Sequence, residues 1–343
     1  MSDQPPARYP RRRLVLPFAI VGVLLAIWTI WWFVLASQVE KQLGLRTEQL
    51  REAGWTIEPR EFSGVSGWPF RVRVEAPEAR IGAPSGHMVA APRLVAEAMA
   101  WNPDKWVLIA PDGLTLTRPD KGRVAVGGVI RASASGLRRR TPNLALEMVE
   151  PVFTPHSGAE VFPIRAAQRF ELYARKNAAN PGGTDVLLRL VDAQGRPAGP
   201  VEGLSQQGRL SLELEATLTN AQALRGMDAA GVFAAWTEAG GRFAAVKGEI
   251  SAGESRALIS SEGLRADEDG RLVGAVAFRA EKPLSAIAGL ARSRDGAVNR
   301  VGAAGAAAAT AAGGNRDVAL TIEFRDGRTW LGPFPLSPAP KLF

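Results

Sequence analysis

The side chains in this sequence that could do chemistry are spaced so that no recognisable reaction is assembled. The 343-residue chain has two histidines, His87 within Ser85-Gly86-His87 and His156 within Pro155-His156-Ser157. A zinc site needs clustered ligands, as on an HExxH helix, and two isolated histidines in Gly/Ser/Pro-rich surroundings supply none. There is no cysteine, which removes thiol nucleophiles, thiolate zinc sites and iron–sulfur ligation. Serine catalysis needs a nucleophile, a base and an orienting acid. The GxSxG elbow is absent, and Gly64-Val65-Ser66-Gly67 is one residue too short for it and reads as a turn. No GxxxxGK[ST] or GxGxxG loop is present to cradle a phosphate. Glu61 with Glu75 could be paired as acid and base, and so could Asp267, Glu268 and Asp269, but the last three flank Gly270 and read as a solvated turn. The expectation is a protein with no catalytic residue, no metal and no cofactor.

The aromatics are more numerous. Trp55, Trp68, Trp101, Trp106, Trp236 and Trp330 lie outside the apolar N-terminal stretch, and Trp68-Pro69-Phe70 and Trp101-Asn102-Pro103 set indoles beside turn signals. Two readings stand: core plugs and sheet-edge fillers, or the lining of an apolar groove.

Residues 14–36 carry no formal charge and follow directly on Arg11-Arg12-Arg13. At about 1.5 Å per residue they suffice for a hydrocarbon core of about 30 Å. Pro17 falls in the first turn of such a helix, where proline is tolerated. Arg8, Arg11, Arg12 and Arg13 precede the span against Asp3, whereas Glu40 and Lys41 cancel behind it. Positive residues stay inside, so the N-terminus is expected in the cytoplasm and the body in the periplasm of a single-pass inner-membrane protein. Trp28, Trp31 and Trp32 fall in the outer half, where indoles suit an interfacial belt. Val34-Leu35-Ala36 resembles a cleavage site, but the apolar run exceeds the ~7–15 residues of a signal peptide, so an uncleaved anchor is the expectation.

The net charge is +8, much of it from the N-terminal arginines, and the exported part is only mildly basic. Arg138-Arg139-Arg140 is one short run, read either as a solvated loop or as a contact with anionic headgroups. Scattered basic residues, no recognition motif and the compartment speak against nucleic acid. About 300 residues can build a core without disulfides.

These sparse side chains must be positioned by strands. Residues 37–53 read as a polar stalk helix ended by Gly54. From Trp55 onward the apolar period is two: Val72 and Val74; Leu114 and Leu116; Leu210, Leu212, Leu214, Ala216 and Leu218; Val318, Leu320, Ile322 and Phe324. Such alternation means antiparallel strands with one apolar and one wet face. Turn signals separate the runs at Asn102-Pro103-Asp104, Pro111-Asp112-Gly113, Pro119-Asp120-Lys121-Gly122, Asp192-Ala193-Gln194-Gly195 and Asp326-Gly327, the last a hairpin signal. Helical patterns are few: 228–239, with Asp228 as N-cap, and 284–291. The Ala/Gly-rich stretch 302–314 has no large apolar anchor and reads as a mobile loop or weak helix. Glu52-Ala53-Gly54 and Glu238-Ala239-Gly240 each close a helix before a meander, which leaves open two related helix-plus-meander halves.

The order of these features resembles the bacterial family known as domain of unknown function 2125. The marks are Glu52-Ala53-Gly54-Trp55, Gly67-Trp68-Pro69-Phe70, Ala91-Pro92-Arg93-Leu94, Trp101-Asn102-Pro103 through Trp106 to Pro111-Asp112-Gly113, Trp236-Thr237-Glu238-Ala239-Gly240-Gly241, Arg325-Asp326-Gly327-Arg328 and Leu331-Gly332-Pro333-Phe334-Pro335-Leu336. The resemblance implies a single-span, exported, β-rich protein and brings no catalytic residue; stretch 302–314 looks like an insertion in its pattern. A more distant resemblance to AsmA-like envelope proteins implies a long curled sheet with an apolar groove.

The resulting expectation is a mainly β protein with few helices: a transmembrane helix, then an elongated, curled antiparallel sheet. Its parts are a basic cytoplasmic N-terminus (1–13), the transmembrane helix (14–36), a stalk helix (37–54), a first β-rich half (55–225) and a second (226–343) with the insertion at 302–314. Function is expected to be non-enzymatic, with lipid bound or organised on an apolar sheet face formed by Leu210, Leu212, Leu214, Leu218, Leu320, Ile322 and Phe324. The alternative is a scaffold that recruits other envelope proteins, with Pro333-to-Pro340 either a docking tail or a strap over the protein's own sheet. A sheet that closed into a sandwich or barrel would need no ligand.

Overall fold

An apolar run long enough for a membrane span and the polar helical pattern behind it fuse into one element. The computed structural model describes residues 11–60, 62–139, 141–224, 232–313 and 318–343, with side chains from Val15 onward. Glu61, Arg140, the proposed N-cap Asp228 and Gly314 lie outside the described residues. Helix α1 runs unbroken over Arg11–Glu52. It begins earlier than the apolar run, so Pro17 sits inside it, in the second turn rather than the first. It ends at Gly54, whose φ of +87° lets the Trp55 N–H turn back onto the Leu50 carbonyl at 3.0 Å. Residues 37–52, expected as a stalk, rest on the body. Glu40 Oε1 accepts the Val65 N–H at 3.0 Å, Thr47 is buried, and the Arg51 guanidinium donates to the Ile57 carbonyl at 3.0 Å.

The period-two segments form one antiparallel sheet of 17 strands. In chain order they are β1 Thr56–Glu58, β2 Arg71–Gly82, β3 Met88–Met99, β4 Asn102–Ala110, β5 Leu114–Arg118, β6 Gly122–Ser135, β7 Asn143–Pro155, β8 Ile164–Ala166 and β9 Arg169–Lys176. Then follow β10 Thr184–Gly195, the short helix α2 Pro200–Leu204, β11 Leu210–Leu218, helix α3 Val232–Glu238, β12 Phe243–Ala252, β13 Ser255–Ala266 and β14 Leu272–Glu281. Helices α4 Pro283–Ala291 and α5 Arg300–Gly313 precede β15 Val318–Arg325, β16 Arg328–Leu331 and β17 Phe334–Pro338. The fold is therefore mainly β behind one long apolar helix, as the patterning predicts.

The topology is a meander. Each strand pairs with its sequence neighbour, except that β4 and β5 share one position between β3 and β6, and β8 and β9 share one between β7 and β10. Among the described residues β1 registers on β2 alone and β17 on β16 alone. All 17 strands among the described residues belong to this one sheet, which leaves no second sheet among them to cover it. The ladder crosses position 225 without a break, since β11 pairs with β12.

Three turn signals play other parts. The Asn102-Pro103-Asp104 segment opens β4, and the reversal falls on Ala100 and Trp101. Pro111-Asp112-Gly113 interrupts one strand position without reversing it. There Gly113 has φ +74° and lies against the Val126 carbonyl, where no Cβ fits. Asp192-Ala193-Gln194-Gly195 lies within β10, whose register shifts between Leu190 and Ala193. Positive φ at Asp192 (+49°) serves a bulge as well as a turn, so composition alone does not separate them. Asp326 (φ +52°) and Gly327 (φ +67°) do form the two-residue hairpin turn between β15 and β16.

Of the two readings of 302–314 the helical one is found and the loop is not: residues 302–313 lie in α5, 14 residues long, with Gly302, Ala303, Ala306, Ala307 and Thr310 buried. Its small side chains are the packing surface. A Cβ on Gly302 would collide with the Pro335 carbonyl, and one on Gly305 would meet the Phe334 ring. Helices α4 and α5 pack with Leu331 and Leu336 into one core, flanked by Leu320 and Ile322. The Pro-rich end takes the strap position. It supplies β17, buries Leu336 and Ala339, and continues to an isolated bridge between Arg271 and Lys341.

Gly302→Val should therefore destabilise the protein by about 1–3 kcal/mol through overpacking. Ala308→Val, on the exposed side of the same helix, should cost only its helix propensity, under about 1 kcal/mol. Urea unfolding of the two variants measures the difference, and equal costs would sink the close-packing account of α5.

Candidate apolar face and its cavity

Register converts the separate alternations into one surface. Residues directly opposite each other form an unbroken row: Val74, Ala96, Leu108, Ala132, Leu146, Leu172, Leu188, Leu214, Gly248, Ile259, Phe278 and Leu320. The row crosses twelve strands, a path of about 50 Å at ~4.8 Å per strand. It is interrupted only by small residues. At Gly248 a Cβ would strike the Glu213 carbonyl and the Leu214 side chain.

The two ends of this face are covered. At the N-terminal end α1 lays Trp32 and Ala36 on Val72 and Ala100, with Trp28 and Trp106 beside them. At the C-terminal end α2, α4 and α5 lie over β12 to β17 and leave an apolar cavity of about 370 Å³ against the sheet. Ile250, Phe278, Leu320 and Ile322 line its sheet side, and Pro200, Leu204, Ile287 and Leu290 its helix side. In the middle no described helix or second sheet covers the row: Leu146, Leu172, Leu188 and Leu214 are half-buried, and Leu144 and Leu108 exposed.

The residues singled out from alternation separate into three places. Leu212 and Leu214 lie on the middle of the apolar face, opposite Leu190 and Leu188. Leu320 and Ile322 line the cavity. Leu210 is buried with Ala193 and Ala252 near α2, Leu218 is buried opposite Thr184 and Phe243, and Phe324 stands opposite Gly274 and Thr329. Sequence reasoning missed Leu146, Leu172, Leu188, Ile259 and Phe278. The Leu144, Leu146, Met148 alternation was the available signal for the first of these.

The opposite face is wet and charged. Arg131, Glu147, Glu171, Arg189, Glu213 and Glu249 are successive cross-strand partners. The buried Glu171 carboxylate is held by Arg169 at 3.4 Å and Arg189 at 3.2 Å, and Arg189 also reaches Glu213 at 2.7 Å. Partial burial, then the Glu171 and Glu147 carboxylates, push the Tyr173 phenol above its ordinary range, which makes it a poorer acid. A shallow hollow of about 970 Å³ lies on this face beside Arg189, Glu213, Lys247 and Glu249.

Chemistry-bearing residues stay dispersed. His87 and His156 are exposed, His87 with Nδ1 3.0 Å from Ser85 Oγ. Glu75 pairs with Arg73 at 2.6 Å. The Asp267 carboxylate accepts the N–H groups of Asp269 and Arg271, as a turn would have it. Among the described residues no group of three or more His, Asp or Glu could hold a metal. The tryptophans divide. Trp236 is a core plug whose indole N–H donates to the Thr219 carbonyl at 2.7 Å, Trp330 lies under the Arg325 guanidinium at 4.6 Å, and Trp68 and Trp101 are exposed.

The lid over the cavity is pinned electrostatically. Glu254, in the turn between β12 and β13, accepts hydrogen bonds from Ser285 Oγ and from Lys282 Nζ at 3.3 Å, at the start of α4. The Ser285 hydroxyl first, and then the Lys282 ammonium, hold its carboxyl below the ordinary carboxylate range. A depressed carboxyl adds stability above its unfolded pKa and loses it as pH falls through the folded value. Glu254→Gln should therefore speed amide exchange of α4 at neutral pH. Its stability deficit against the parent should shrink as pH falls through the depressed folded-state pKa of Glu254 and vanish below it, where both carry a neutral group. A deficit unchanged across pH would mean that the charge plays no part.

No curated protein and no solved structure matches the chain. A family model described as uncharacterized protein conserved in bacteria matches residues 32–340. An antiparallel meander behind one helix that is long and apolar enough to cross a membrane is thus the architecture of this chain, which belongs to the DUF2125 family.

Proposed function

We propose that the protein is a non-enzymatic, single-pass inner-membrane protein whose periplasmic body holds or organises lipid on its apolar face. The supporting observation is the row from Val74 to Leu320, apolar across twelve strands, with Leu146, Leu172, Leu188 and Leu214 only half-buried between α1 and α2. A half-exposed leucine row of this length is not what an ordinary core leaves behind, and contiguous apolar patches mark ligand, partner or membrane sites. The cavity under α4 adds a second apolar element, and its 370 Å³ falls within the ~300–1,000 Å³ of ligand pockets. Orientation rests on Arg8 and Arg11 to Arg13 ahead of the span.

The test uses full-length protein in its membrane with a phospholipid carrying a photoreactive acyl chain. Label is expected on peptides of β9 to β11, which carry Leu172, Leu188 and Leu214. A folded Leu214→Glu variant, which sets a charge against the chain, should lose at least about tenfold of that label, given the cost of desolvating a carboxylate. Label confined to α1 in both proteins would refute the lipid reading, and the scaffold alternative would take its place.

A further inference from the structure

The part of α1 that precedes its first contact with the body is too short to cross the hydrocarbon core. From Arg13, the last charge of the basic run, to Trp28 is about 22 Å of helix at 1.5 Å per residue, against a hydrocarbon core of about 30 Å. Yet at Trp28 the body is already in contact. The Trp28 indole N–H donates to the Pro69 carbonyl at 2.9 Å, and that of Trp32, one turn on, to the Arg71 carbonyl at 2.8 Å. The start of β2 therefore stands at the level of the last turns of the span. At that same level the outward side of α1 is still apolar, with Ile30, Phe33 and Val34 exposed.

The loops at that end of the sheet have the composition this depth demands. Trp68 is 49%, Phe70 61%, Met99 42% and Trp101 58% exposed. Phe70 and Trp101 meet edge-on at 6.3 Å across the β2 start and the β3–β4 turn. Next along the same end comes the β6–β7 connection, since β4 pairs with the end of β6 through Lys105 and Ser135. It presents Leu137, Arg138 and Arg139, all exposed. Aromatic side chains suit the headgroup level, and arginines suit phosphates. An isolated exposed aromatic needs no explanation, but four large apolar side chains on neighbouring loops, continuous with a membrane helix, do.

We infer that this rim, Trp68, Phe70, Met99, Trp101 and Leu137 with Arg138 and Arg139, is a second membrane contact. It inserts into the interface of the leaflet from which α1 emerges and seats the body directly on the lipid surface. The inference rests on α1 being a membrane span, as proposed above, but not on any lipid in the groove. It sets the α1-covered end of the apolar row at the bilayer, where acyl chains are.

The absence of cysteine makes the test direct. Full-length protein carrying one cysteine at Phe70, Trp101, Val21 or His87 is labelled with an environment-sensitive nitrobenzoxadiazole probe. Each is reconstituted in phosphatidylethanolamine–phosphatidylglycerol vesicles with brominated acyl chains. Phe70→Cys and Trp101→Cys are expected to give blue-shifted emission that bromine quenches and aqueous iodide does not, like Val21→Cys within the span. His87→Cys, at the far end of the sheet, should show the opposite. If Val21→Cys is quenched by bromine while Phe70→Cys and Trp101→Cys answer to iodide, the rim contact is refuted and the anchor stands. If Val21→Cys also answers to iodide, both are refuted. Because the labelled positions are exposed, none should impair folding, and unchanged thermal melting confirms that each probe reports the native body.

Discussion

An antiparallel sheet built from alternating strands has one face that water solvates poorly, and the rest of this molecule follows from the need to cover it. Sandwiches and barrels solve the problem by setting a second sheet or the far wall of the same sheet against the first. Here the chain keeps adding neighbours in sequence order to one sheet, and among the described residues its end strands β1 and β17 do not pair to close it, so much of the cover comes from helices. Few are available. Helix α1 takes the β2–β4 end, and α2, α4 and α5 take the other. The strands between have Leu146, Leu172, Leu188 and Leu214 on their uncovered side. The same pleat sends Arg131, Glu147, Glu171, Arg189 and Glu213 to the opposite face, where cross-strand ion pairs replace burial.

The helices that provide the cover are fitted by very different means. Helix α5 approaches β17 closely because its inner side is glycine and alanine, which trades side-chain area for dense packing. Helix α4 is held at its first turn by a carboxylate on the sheet, an exposed contact that salt and acid can weaken. Helix α1 is fixed by two indoles bonded to the backbone carbonyls of Pro69 and Arg71, at the entry to β2. Those contacts tie the body's orientation to the anchor, so the sheet is not free to swing on a flexible tether.

Much of the fold was legible before any coordinates. Alternation located β5, β11 and β15 to within a residue or two and the first part of β2, and Asp326-Gly327 marked the β15–β16 hairpin. The long apolar run and the arginines before it marked α1. What failed did so for identifiable reasons. Asp192-to-Gly195 contains the residues of a turn because bulges need the same positive φ, and only the partner strands β9 and β11 decide that the chain runs on. For 302–314 a loop and a weak helix both stayed open, because the stretch lacked large apolar residues and the pattern that reveals an amphipathic helix weighs size. A helix that packs through its smallest residues is nearly silent to it.

The groove shows the division most clearly. The sequence by itself determined that Leu212 and Leu214 share a face with each other, and Leu320 with Ile322, because a pleat sends alternate residues to the same side. It also determined the charge asymmetry around the span and the lack of any thiol. Only the tertiary structure decided that those two faces are one surface, that Leu210 and Leu218 belong to ordinary packing, and that the middle of the row lacks a cover. Register between strands depends on bulges at Leu190/Ala193, Ser260/Leu264 and Gly127/Val129, and a shift of one residue there would turn every later side chain to the other face. Cover depends on where α2, α4 and α5 settle, which is set by the summed packing of distant segments and by no local pattern.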